Sequence, residues 1–168
     1  TYALVILTLA YTSSYLDRTI VGAVAEHIKK DLNLSDTELG LLTGFAFAVF
    51  YATLGIPLAL LSDRMNRRNI VAASVAVWSV TTVLCGMATN YAQLVAARIG
   101  VGIGEAGSSP QSHSMIADMY APHERSRALA FYALGVYAGG MLGFLIGGDG
   151  GDAWGWRATF FVAGAPGL

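Results

Sequence analysis

Charged residues divide this chain into long apolar runs. Residues 39–62, 69–97 and 128–148 contain no Asp, Glu, Lys or Arg, and each is long enough for the roughly 20 residues that carry a helix across a bilayer. Residues 1–16 are apolar as well. Asp17 and Arg18 follow with no small-residue cleavage pattern, so this stretch reads as a spanning helix rather than a signal peptide. The pattern predicts helices over residues 2–28, 38–61, 70–88, 91–120 and 126–148, and a sixth from 156 to 168 that is cut short. A membrane barrel would show segments of about ten residues alternating in polarity. Residues 39–61 are instead apolar on every face, and in lipid a helix satisfies its own backbone. The expected fold is therefore all-α and multi-spanning.

Composition agrees with lipid as the solvent: 55% of the 168 residues are hydrophobic and 12% charged, against about a quarter charged in soluble domains. The net charge of -1 gives no reason to expect a nucleic-acid partner. Cys85 stands alone, so neither an internal disulfide nor a cysteine metal site is expected, and no cofactor is called for. The second and fourth connections hold Arg64, Arg67, Arg68, Arg125 and Arg127, against Lys29, Lys30 and Arg157 on the other side. That excess puts the second and fourth connections in the cytoplasm.

The chemistry is expected where charge interrupts the spans. A charge at the bilayer centre costs at least ~3 kcal/mol on insertion scales and usually faces a partner or water. Asp17, Arg18, Arg98 and Glu105 all fall there. Arg98 and Glu105 are seven residues apart, hence on nearly one helix face and roughly 10 Å apart along the axis. The first and fourth helices run in opposite directions, so Arg18 with Glu105, or Asp17 with Arg98, are both possible pairs. A carboxylate in an apolar bundle beside an arginine has a protonation state that small rearrangements switch. The alternative for these four residues is a fixed structural ion pair.

Gly135, Gly139, Gly143 and Gly147 recur at every fourth position, and Gly100, Gly102, Gly104 and Gly107 cluster on the preceding helix. Such stripes let helix backbones approach closely in lipid, either as static packing or as surfaces that slide. Gly102, Gly104 and Gly107 also spell G-x-G-x-x-G, but no strand precedes them, so the dinucleotide reading fails. Ser109 and His113 are spaced like a nucleophile and its base. Pro110 between them and the lack of a third group argue against an intramembrane hydrolase, and no enzyme activity is expected. Gly147 to Asp152 reads as a flexible loop rather than a calcium turn.

Three motifs then resemble those of the major facilitator superfamily. Asp63-Arg64-Met65-Asn66-Arg67-Arg68 is similar to the D-R-x-G-R-[RK] core of the loop after the second helix, with Asn66 in place of Gly and Ala59 in place of the leading Gly. Arg98 with Gly102 and Gly104 matches R-x-x-x-G-x-G of the fourth helix, and Trp156-Arg157 opens the sixth. Within that superfamily, Tyr15-Leu16-Asp17-Arg18, Gly104-Glu105-Ala106, Ile116-Ala117-Asp118 and Arg125-Ser126-Arg127 resemble the Spinster lipid transporters, including bacterial members.

The resemblance implies a twelve-helix protein of two six-helix bundles. This chain would be the N-terminal bundle, embedded in membrane lipid, of a multi-pass protein of the bacterial inner membrane, with a C-terminal six-helix bundle as its partner. It further implies alternating-access transport of lysolipids or sphingosine-phosphate-like lipids coupled to protons. Asp17 and Glu105 would be the proton-linked carboxylates, with Arg18 and Arg98 beside them. Asp63, Arg64, Arg67, Arg68 and Asp118 would form a cytoplasmic gate. A symporter of small organic anions, with Arg18 holding a carboxylate, is the nearest alternative. A non-transporting membrane receptor or scaffold stands further off.

Overall fold

The computed structural model describes residues 2–62 and 66–167, and of Ala46 and residues 58–62 only the backbone. Among the described residues every regular element is helical: α1 (Tyr2–Ala23), α2 (Ala25–Leu32), α3 (Asp36–Gly40), a π-helical turn (Leu41–Phe45), α4 (Ala46–Ser62), α5 (Arg67–Met87), α6 (Tyr91–Ala106), α7 (Ser109–Met119), α8 (Arg125–Trp154), α9 (Trp156–Gly164) and a 3₁₀ turn (Ala165–Gly167). Among the described residues, three stretches are long and apolar enough to cross a membrane: Asp36–Pro57, Arg67–Met87 and Pro122–Trp154.

Local chemistry sets the helix ends. α1 runs almost unbroken into α2, because the Val24 amide still donates to Ile20 at 2.9 Å and Val24 accepts from the Ile28 amide at 3.1 Å. The run stops at Asn33, whose φ of 53° is left-handed, the usual helix terminator. Ser35 then opens α3 with a capping box: its hydroxyl accepts from the Glu38 amide while the Glu38 carboxylate accepts from the Ser35 amide at 2.9 Å. Asn66 and Asn90 cap α5 and α6 more simply, their side-chain oxygens accepting from the Arg68 and Gln93 amides.

Several boundaries differ from those read in the sequence. The helix expected over 91–120 is split at Gly107 and Ser108, where Pro110 sits in the first turn of α7. Proline is tolerated there because the first amides of a helix have no partner to lose. The helix expected to end at 148 runs on to Trp154, so Gly147 to Asp152 is helical rather than a flexible loop. This segment is held by packing. A Cβ on Gly151 would lie 3.3 Å from Val24, and Asp152 contacts His27 at 2.9 Å. The chain turns at Gly155, with φ of 82°.

α1 and α8 form the most extensive helix pair, followed by α5 with α6. Gly135, Gly139, Gly143 and Gly147 are all buried in that first contact. A Cβ added to Gly135 would come within 3.0 Å of the Thr8 carbonyl, and one on Gly143 within 3.0 Å of the Leu16 carbonyl. The stripe thus sets backbone against backbone along the whole crossing. The main core gathers Ile20, Ile28, Leu42, Trp78, Leu94 and Phe160, each 0% exposed. Large apolar side chains also point outward, among them Phe131, Leu134, Tyr137 and Phe144 of α8. That inversion suits a helix surrounded by lipid or by further helices rather than water.

Candidate functional site

The charged site lies between α1, α5 and α6, with α4 as its aromatic wall. Asp17 is 1% exposed, Glu105 1% and Arg98 2%, although each sits on a helix that elsewhere offers a lipid or packing surface. Arg18 Nε donates to Glu105 Oε2 at 2.6 Å. The Arg18 side chain keeps 26% of its surface exposed while that of Glu105 keeps none. The pair is therefore open on the arginine side and closed on the carboxylate side.

Asp17 takes a different partner. Its Oδ2 accepts from the Thr82 hydroxyl at 2.8 Å, across from α5. Arg98 makes no ion pair with it, yet lies close enough for the two charges to act on one another, as do Asp17 and Glu105. Arg98 stacks its guanidinium over the Phe47 ring at 5.4 Å. Asp17 Oδ1, Arg98 Nε and Arg98 Nη1 have no hydrogen-bond partner, while the buried Ser14 hydroxyl lies beside the Glu105 carboxylate. Buried charges with unmet capacity are costly. They set donors and acceptors of both signs side by side inside the bundle.

Of the two pairings the sequence leaves open, the structure brings Arg18 and Glu105 together. It sets Asp17 and Arg98 near each other but unbonded. Glycine makes the approach of α6 to α5 possible: a Cβ on Gly104 would lie 2.6 Å from the Trp78 amide nitrogen. His113 meets Ser109 through its ring Nδ1 on the Ser109 backbone carbonyl at 2.8 Å, so the two do not form a nucleophile and base.

At the opposite end, Arg67 Nη1 pairs with Asp118 Oδ2, joining the start of α5 to the end of α7. Arg68 lies one residue on and is exposed. Asp63 and Arg64 of the expected gate lie outside the described residues.

A family model described as Major Facilitator Superfamily matches residues 7–168. The chain belongs to the major facilitator superfamily. It is 38% identical over 160 residues to an MFS-type efflux pump of Mycolicibacterium smegmatis, covering 95% of this chain and 37% of the relative. It is 32% identical over 168 residues to a probable L-galactonate transporter of Escherichia coli, covering 100% of this chain and 37% of the other. Against a sphingosine-1-phosphate transporter of Danio rerio the identity is 32% over 156 residues, or 90% of this chain and 31% of that one. Among solved structures, a bacterial homologue of the lysosomal transporter Spinster, inward-facing and unoccupied, superposes with a TM-score of 0.91 at 41% identity. That match covers 99% of this chain and 40% of the other. The major facilitator chain in hand thus spans well under half the length of these relatives, which are integral membrane transporters rather than enzymes.

Two parts of this major facilitator bundle escaped the sequence reading. One is the aromatic surround of Arg18, built by Tyr15, Phe47 and Tyr51. Only the one-turn spacing of Phe47 and Tyr51 hinted at it. The other joins the far ends of three helices. Arg157 Nη1 donates to Asp31 Oδ2 at 2.6 Å, its Nη2 donates to the Ala88 carbonyl at 3.1 Å, and Trp156 Nε1 donates to Asp31 at 3.3 Å. The hydrogen bond from Arg157 holds the Asp31 carboxyl below the usual carboxylate range.

Proposed function

We propose that this chain is one six-helix bundle of a proton-coupled secondary transporter of the bacterial inner membrane. It carries lysolipids or sphingosine-phosphate-like amphiphiles by alternating access. The carrying observation is the Arg18–Glu105 bridge at 2.6 Å with buried Asp17 beside it. Two buried carboxylates share the field of two arginines, one of which opens toward the outside of the site. Protonating either one removes a negative charge that an arginine was matching. The freed guanidinium then seeks another anion, and a phosphate headgroup supplies one with matching geometry. A second bundle rocking against this one would expose the site to each side in turn. The Arg67–Asp118 pair, together with Asp63, Arg64 and Arg68, would latch the cytoplasmic side. The glycine stripe Gly135, Gly139, Gly143 and Gly147 would keep α1 and α8 together as one moving body. Similarity to the Spinster homologue and to the sphingosine-1-phosphate transporter favours lipid cargo.

Full-length protein in proteoliposomes tests this. An imposed pH gradient should accelerate flux of a fluorescent lysophospholipid, and Asp17→Asn should abolish that response. Flux of wild type that ignores the gradient would refute proton coupling. A second reading, symport of a small organic anion, has its own support in the whole-chain likeness to the L-galactonate transporter. There Arg18 would hold the carboxylate, and a sugar acid rather than the lysophospholipid would follow the gradient.

A further inference from the structure

His113 has no part in the charged site, yet it stands on the helical stretch that continues from Glu105. Eight residues separate the two, about 12 Å along the axis at the rise of an α-helix, toward the end of α7 where Asp118 meets Arg67. The arginine excess puts that end in the cytoplasm. Between Glu105 and His113 lies a ladder of hydroxyls. Glu105, Ser108 and Ser112 are three and four residues apart, so they share one face across the break at Gly107. The Ser108 hydroxyl donates to the Glu105 carbonyl at 3.2 Å, and that of Ser112 to the Ser108 carbonyl at 2.8 Å. Both serines are buried, and the buried Tyr132 hydroxyl of α8 lies beside Ser112. A hydroxyl that donates to a carbonyl keeps lone pairs that can take up a proton. The ladder ends where the His113 ring meets the Tyr132 ring edge to face, with 5.2 Å between their centres.

The contact with Ser109 decides which ring nitrogen is basic. Nδ1 faces the Ser109 carbonyl at 2.8 Å. A carbonyl only accepts, so Nδ1 carries the hydrogen and Nε2 of the neutral ring holds the lone pair. His113 is exposed, which opens Nε2 to water. Among the described residues, the titratable side chains packed around it are Tyr132 and, stacked on that ring at 4.3 Å, Tyr11 of α1, with Tyr15 and Tyr51 beyond them. The carboxylates of α6 and α7, Glu105 and Asp118, are each paired with an arginine.

We propose that His113 is the proton relay between Glu105 and the cytoplasm. Protonated Glu105 gives its hydrogen to the hydroxyl ladder, where each oxygen passes on its own hydrogen as it gains one. The last hydrogen reaches Nε2 through water at the exposed ring, and the imidazolium returns it to the cytoplasm. One proton has moved, Glu105 is again the carboxylate that pairs with Arg18, and every hydroxyl and His113 are neutral. This rests on the proton-coupled reading above and supplies the route that reading leaves open.

Full-length protein in proteoliposomes tests it, with a fluorescent lysophospholipid as cargo. His113→Ala should slow flux driven by a pH gradient about tenfold or more, the scale of a positioned proton-transfer group. Exchange of labelled for unlabelled lysophospholipid without a gradient moves no net proton. It should stay within about twofold of wild type, which shows that the variant folds and carries cargo. Imidazole in the buffer should raise the driven flux of His113→Ala about threefold or more, measured against wild type in the same buffer; a lost packing contact would not respond. Tyr132→Phe, lacking only the hydroxyl, should slow driven flux and spare exchange. Driven flux of His113→Ala within about twofold of wild type, exchange lost in step with driven flux, or no response to imidazole would each overturn the proposal. Failure of the proton-coupled reading looks different: wild-type flux itself then ignores the gradient.

Discussion

Gly139 and Gly140 are neighbours in one helix with opposite surroundings, which makes the α1–α8 contact open to a controlled test. A Cβ on Gly139 would lie 2.7 Å from the Tyr15 Cβ and 3.0 Å from the Leu16 amide nitrogen, and closer still to the Thr12 carbonyl. A Cβ on Gly140 would meet nothing within 4 Å. Ordinary contact begins near 3.4 Å, so Gly139→Ala forces α1 and α8 apart by at least about 0.7 Å. The crowding atoms are backbone and Cβ, which have no rotamer to relieve them. Overpacking of this kind costs about 1–3 kcal/mol, and the shared register of Gly135, Gly143 and Gly147 puts this site toward the upper end, because a shift there loosens all four crossings. Gly140→Ala should instead gain about 0.5–1 kcal/mol from the better helix former. Thermal unfolding of the full-length protein in one detergent should therefore place the two variants on opposite sides of wild type, several degrees apart. Equal midpoints for the two would mean that α1 and α8 do not pack through this stripe, and the reasoning would fail.

Other outcomes follow from the ion pairs. Arg18→Ala leaves Glu105 buried without its cation and should destabilise by about 3–5 kcal/mol; adding Glu105→Gln should recover much of that loss, and a double variant no more stable than Arg18→Ala would contradict the pairing. Asp31 has its pKa lowered in the folded state by the Arg157 hydrogen bond. Its contribution is therefore full above the ordinary carboxylate pKa of about 4 and is lost as pH falls through the lower folded value. Asp31 and Arg157 side chains are 44% and 38% exposed, so solvent screening limits the effect to about 1 kcal/mol. Asp31→Asn should lower the unfolding midpoint at neutral pH and match wild type in strong acid; a gap that persists in acid would rule out the linkage.

The sequence revealed the spans more readily than the partners. Charge-free runs located the helices because lipid permits few other solutions, and burial of Asp17, Arg98 and Glu105 followed from the same energetics. Helical period places a residue on a face but does not say which helix stands opposite. Thr82 as the partner of Asp17, and Glu105 as that of Arg18, therefore had to come from the packing. Phe47 and Tyr51 read as two more apolar residues in a lipid-soluble run, since nothing in that run distinguishes a ring facing lipid from one facing a guanidinium. The extension of α8 through Asp149 and Asp152 was hidden because their charges and the four neighbouring glycines argue for a loop. Contacts with α2 and α9 override that local preference.

Coupling in this bundle depends on the carboxylates beside Arg18 changing protonation as cargo binds. Calorimetry of lysophospholipid binding to the full-length protein, repeated in buffers of different ionisation enthalpy, counts the protons exchanged. Wild type should exchange protons with the buffer, and Glu105→Gln and Asp17→Asn should reduce or abolish that exchange. A binding heat independent of buffer in the wild type would contradict it, leaving Arg18–Glu105 as a fixed strut of the bundle.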